Sequence, residues 1–80
     1  MTIRERVAQT NKEAIMWDDL DDAVVGMTDD GRVVYDINKM VDLFSIDMPE
    51  EDAIEWINFN ILGAHLGDYT PVHIYTLNKI

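Results

Sequence analysis

Three acid pairs, Asp18-Asp19, Asp21-Asp22 and Asp29-Asp30, are the side chains of this 80-residue chain whose type and spacing come closest to chemistry. Two neighbouring carboxylates can share acid–base work when a pocket drives their proton affinities apart. These pairs sit among turn-forming residues, so solvated turns are the simpler expectation. The run Asp18-Asp19-Leu20-Asp21-Asp22 also offers oxygen ligands to calcium or magnesium, which makes a metal-binding module or a small metal-dependent enzyme the rival reading. Its spacing does not match an EF-hand loop. His65 and His73 alone make no zinc site, and there is no cysteine to complete one or to form a disulfide. Ser45, the only serine, lacks a Gly-x-Ser-x-Gly turn, and the four glycines form no phosphate loop. The expectation is a protein with no catalytic residue, no metal and no cofactor.

Charge points to binding instead. Sixteen acidic residues stand against six basic ones, a formal net charge of −10. Thirteen of the acids fall between Asp18 and Glu55, opposed there only by Arg32 and Lys39. Such a field repels nucleic acid and anionic lipid, which are bound through Lys and Arg. It favours a partner with a basic surface, including the nucleic-acid grooves of other proteins. The plainer reading is that the acids serve solubility. The start MTIRERVAQTNKEA is too polar for a secretory signal, and no apolar stretch is long enough to span a membrane, so a cytoplasmic protein is expected.

The elements that must position these residues follow from periodicity. Hydrophobic residues make up 48% of the chain, in ordered patterns that argue against disorder. One domain over residues 1–80 is expected, with 1–12 a short helix or a frayed end. Ala23–Met27 and Arg32–Tyr35 read as a hairpin whose Asp30-Gly31 supplies positive φ angles. Glu13–Trp17 reads as a short preceding strand. Ile37, Met40, Val41 and Phe44 follow the i, i+3, i+4, i+7 rule of a helix capped by Asp36 or Asn38. A second helix starts at Pro49, with Glu50, Glu51 and Asp52 at its positive end. Gly63 and Gly67 bracket its other end, Gly67 being the better terminator. Thr70-Pro71 then leads into a half-buried strand, Val72–Leu77.

At 100° per residue the second helix carries two apolar stripes. Ala53, Ile54, Ile57, Ile61 and Ala64 should face the sheet. Phe59, Leu62 and Leu66 lie roughly opposite, with Trp56 on the flank. That second stripe is either covered by the first helix and the N-terminal segment or left as a partner or homodimer interface anchored by its aromatics.

Several segments resemble a group of small, acidic bacteriophage-encoded proteins. They are Asp21–Gly26 (DDAVVG), Val33–Asp36 (VVYD), Lys39-Met40, Glu50–Trp56 (EEDAIEW), Phe59–Ala64 (FNILGA) and Gly67–Val72 (GDYTPV). The matching family patterns are "DDAIIG", "VVYD" and "EEAIEYFEFNVxGAxxGExTPIF", and the likeness spans Glu13 to Tyr75. This chain departs from them at Trp56, Ile57, Asn58 and His73. The resemblance implies phage origin and action in a host bacterial cytoplasm, and it brings no catalytic residue. It also implies a mode common among small acidic phage proteins, many of which bind and inhibit host defence or nucleic-acid-handling enzymes, some of them by imitating DNA.

The expected architecture is α+β, a small antiparallel three- to four-stranded sheet with a helix pair packed on one face. The expected function is non-enzymatic binding of a host or phage protein. The expected contact residues are Asp18, Asp19, Asp21, Asp22, Asp29, Asp30, Trp56, Phe59, Leu62 and Leu66.

Overall fold

The structure, a computed structural model, describes residues 1–77. Its elements are α1 (Ile3–Thr10), a single 3-10 turn (Asp21–Ala23), β1 (Val24–Met27), β2 (Val33–Asp36), α2 (Ile37–Phe44), α3 (Glu50–Asn60) and β3 (Val72–Ile74). The class is α+β, and the sheet order is β1-β2-β3. The sheet is mixed rather than antiparallel: β1 runs antiparallel to β2, while β3 runs parallel to it. A hairpin can only reverse the chain, whereas α2 and α3 between β2 and β3 form the long crossover that a parallel pair requires. The helix layer is also more than a pair, because α1 adds Val7 to the cluster that Met40 of α2 and Ile57 of α3 build over Val33 and Tyr35. The expected strand at Glu13–Trp17 is irregular chain. Its Trp17 N–H donates 2.8 Å to the Tyr35 hydroxyl, so a side chain supplies the partner that a ladder would have given.

Local chemistry explains most element ends. Thr2 and Glu5 form a reciprocal capping box, each side chain accepting the other's backbone N–H at 3.1 and 2.7 Å, so the N-terminal segment is a capped helix and not a frayed one. Asp36 caps α2 by accepting the Asn38 N–H at 2.9 Å. Its other carboxylate oxygen takes the Thr76 hydroxyl at 2.8 Å, which satisfies a buried charge twice. Pro49 stands at the N-cap of α3, followed by the three acids. The helix stops at Asn60, earlier than either glycine. There the Ile61 and Leu62 N–H groups both donate to the Ile57 carbonyl, and the Asn60 side-chain amide donates 3.0 Å to the Trp56 carbonyl. Gly67 does use a positive φ of 128°, but for the turn into β3, where the Thr70 hydroxyl donates 2.7 Å to its carbonyl.

The core lies between the helices and one face of β2. Val33, Tyr35, Met40, Ala53, Ile57 and Ile61 are buried, and Val34, which points the other way, is only half-buried. Ile54, expected on the covered stripe, is exposed, and Ala64 is half-buried in the loop beyond α3. The register pairs Tyr35 with His73, and it sets Val72 and Ile74 beside Val34 and Asp36 on the opposite face.

The hairpin turn shows how tightly one junction is specified. Thr28 N–H donates to the Arg32 carbonyl at 2.8 Å, and Gly31 N–H to the Thr28 carbonyl at 3.1 Å. Only Gly31 of the expected Asp-Gly pair has positive φ, at 88°, as in a three-residue loop that ends on a left-handed residue. The Asn11 side chain donates 3.0 Å to the Gly31 carbonyl and sits 2.7 Å from where a Cβ would lie. Gly31→Ala should therefore cost about 1–3 kcal/mol in urea unfolding. The loss should be smaller when measured in an Asn11→Ala background, because the clash is gone; equal losses would rule out that contact as the cause.

Candidate functional site

The acidic run after Trp17 is divided by the fold into different environments. Leu20 is buried and pulls the chain inward at its midpoint. Asp21 takes the Arg4 guanidinium at 2.9 Å, and the same Arg4 donates 3.1 Å to the Trp17 carbonyl. Arg4 is held above its ordinary pKa chiefly by its hydrogen bond to Asp21. Asp18 lies 3.9 Å from Arg4 but is almost wholly exposed, a geometry that contributes little. Asp19 adopts φ 63°, which a short polar side chain tolerates, and is exposed with Asp22. Among the described residues no three His, Cys, Asp or Glu side chains are placed to share a metal ion. Asp29 and Asp30 stand at the hairpin turn, where Asp30 accepts the Thr28 hydroxyl.

A cleft of about 460 Å³ opens between this segment and the α2–α3 junction. Trp17, Phe44 and Trp56 wall it, and Asp18, Asp19 and Asp47 are among its lining residues. Phe44 and Trp56 pack with ring centroids 4.9 Å apart at 44°. Trp17 is fixed from behind, its indole N–H donating 2.9 Å to Nε2 of His73. That bond sets the tautomer of His73, since the indole is a donor only and Nε2 must be unprotonated to accept. His73 in turn lies 6.0 Å from the Tyr35 ring at 27°. Burial, helped by the nearby positive charge of Arg32, pushes the His73 pKa down. Trp56 also belongs to an adjoining groove with Met48, Asp52, Glu55 and Phe59, so aromatic surface runs from one concavity to the next.

The structure thus brings together Asp18, Asp19 and Trp56 from the expected contact set, with Phe59 next to them. Asp21 and Asp22 share a second, polar concavity with Asp18, Asp19 and Arg4. Asp29 and Asp30 line neither cleft. Leu62 and Leu66 are exposed but follow the end of α3, so they do not continue a helical stripe with Phe59. Neither α2 nor the N-terminal segment covers Phe59, which is 80% exposed. Sequence reasoning missed Trp17, Phe44, Asp47 and His73. The first three had a local signal, aromatics followed at short range by acids in Trp17-Asp18-Asp19 and Phe44-Ser45-Ile46-Asp47. His73 had none, because its partner is 56 residues away.

No family model, curated protein or solved structure matches this chain. No helix among the described residues is long and apolar enough to cross a membrane.

The His73 anchor makes stability depend on pH. A folded-state pKa below the ordinary value means the unfolded chain binds the proton more readily. The contribution is complete above the unfolded pKa of about 6.5 and is lost as pH falls through the folded one. The urea midpoint of the wild type should therefore fall between about pH 7.5 and pH 5. His73→Gln keeps an acceptor for the indole but does not titrate, so its decline should be shallower; an identical decline would exclude His73 as the source.

Proposed function

We propose that this protein acts without catalysis, binding a protein with a basic surface through its acidic loops and the aromatics beside them. The observation that carries this reading is the adjacency of exposed Asp18 and Asp19 to Trp17, Phe44 and Trp56 in one open cleft. Exposed charges steer an oppositely charged partner, and half-exposed aromatics hold it once it has docked. The resemblance to small acidic phage proteins favours a host protein as the partner, the bacterial cytoplasm as the place, and inhibition of a defence or nucleic-acid-handling enzyme as the outcome. Imitation of DNA is the sharper form of this proposal, in which the acids occupy a groove built for phosphates.

The test pairs the wild type with a variant carrying Asn at Asp18, Asp19, Asp22, Asp29 and Asp30. Asp21 is left intact because it holds Arg4. Each is used to capture proteins from bacterial lysate at about 50 mM and about 500 mM salt, where screening differs severalfold in range. Captured proteins should be lost both at high salt and with the variant. Retention by the variant, or at high salt, would sink a charge-driven mechanism.

A homodimer is a second reading, favoured by the exposure of Phe59 with Leu62 and Leu66 nearby in sequence. In that case Phe59→Asp should convert a sedimenting dimer into a monomer. A wild type that is monomeric at all concentrations removes this reading.

A further inference from the structure

The cleft combines two properties that select different things. Its aromatic walls, Trp17, Phe44 and Trp56, would alone admit any apolar group. The carboxylates of Asp18, Asp19 and Asp47 would alone attract any cation and hold it weakly. Together they favour a cation with a flat, weakly hydrated face. Among protein side chains that is arginine, whose guanidinium stacks on an aromatic ring while its N–H fork reaches carboxylate oxygens. The lysine ammonium is compact and strongly hydrated, and suits aromatic walls less well.

Among the described residues no basic one lines the cleft, and of its three acids only Asp18 has a cation near it, Arg4 at 3.9 Å, so Asp19 and Asp47 give the mouth its negative charge. Arg4, the nearest basic side chain along this segment, is engaged by Asp21 and the Trp17 carbonyl instead. The walls are also preset. Trp17 is held by His73 and by the Tyr35 hydroxyl, and Phe44 is packed on Trp56. Binding therefore needs little ordering of the site, which lowers its cost.

We infer that this cleft receives an arginine side chain of the basic protein partner, an aromatic wall meeting the guanidinium plane and Asp19 and Asp47 accepting its N–H groups. The inference rests on the charge-driven reading above and gives that reading its anchor point.

Both tryptophans of the chain line the cleft, so the indole N–H signals in ¹H–¹⁵N spectra report on it directly. The probes are acetylated, amidated Gly-Arg-Gly-Arg-Gly and its lysine and citrulline counterparts, with affinities measured by calorimetry. The arginine peptide should shift the Trp56 indole signal saturably and bind about tenfold more tightly than the uncharged citrulline peptide. It should also bind more tightly than the lysine peptide, and lose affinity severalfold in Asp47→Asn and in Trp56→Leu. Both variants alter exposed positions, and retained spectral dispersion confirms their fold. Arginine and lysine peptides that bind alike and ignore both substitutions overturn the cleft while leaving the charge-driven reading intact. Citrulline binding as tight as arginine binding, or no saturable binding of any peptide, also overturns it. The lysate capture with the Asn variant then decides the broader reading independently.

Discussion

Tyr35 is the residue through which the separate parts of this small fold are tied together. It sits on the central strand, paired on one side with Val24 of β1 and on the other with His73 of β3. Its side chain is completely buried, so its hydroxyl needs a partner inside the protein. The partner is the backbone N–H of Trp17, from a segment with no regular structure of its own. Burial raises the Tyr35 pKa, keeping the phenol neutral. Trp17 then donates its indole N–H to His73, and the His73 ring returns to lie over Tyr35. Three residues far apart in the chain thus close a small polar and aromatic circuit at the edge of the core. The wall of the cleft is in this sense a product of core packing and not of loop conformation.

The same economy governs charge. A chain with so few cations cannot neutralise its acids pairwise, and two of the cations are used at joints. Arg4 binds α1 to the Asp21 turn and to the Trp17 carbonyl, while the Arg32 Nε–H reaches the Thr70 carbonyl at 2.6 Å, joining the start of β2 to the approach to β3. Three further acids have structural tasks: Glu5 and Asp36 cap helices, and Asp30 braces a turn. Asp18 and Asp19 are left pointing into solvent beside aromatic surface. Their mutual repulsion is a cost to the folded state, small at ordinary salt, and it concentrates negative potential where the surface is concave.

What could be read from the sequence was whatever depends on near neighbours. The hairpin, the Asp36-capped α2 and the acidic start of α3 follow from turn chemistry and periodicity within a few residues. The Thr2–Glu5 capping box was equally local, and its signal, threonine followed three residues later by glutamate, lay open in the sequence. The end of α3 was harder. Gly63 and Gly67 looked like terminators, yet Asn60 reached back to a last-turn carbonyl and Gly67 was needed for a different turn. The parallel pairing of β3 was implied by the order strand, helix, helix, strand, although its own alternation said only that it was a strand. The Trp17–His73 bond joins residues 56 positions apart, and no pattern in either segment announces it.

The cleft's position follows from the same distinction. Its two sides are connections, the irregular chain at Trp17–Asp19 and the α2–α3 junction around Phe44–Met48, and connections are where acids and exposed aromatics can sit without disturbing a helix or a strand. Connections are ordinarily mobile, which would blur a binding geometry. Here each one is flanked by a buried side chain of the core, Leu20 after the start of the first and Met40 before the second, with Ile61 packed in the same cluster. Flanked in this way, polar and aromatic groups that the fold does not need are still held in fixed relation to one another. That combination, surface residues spare to stability but constrained in place by the core, is what the proposed binding would require of them.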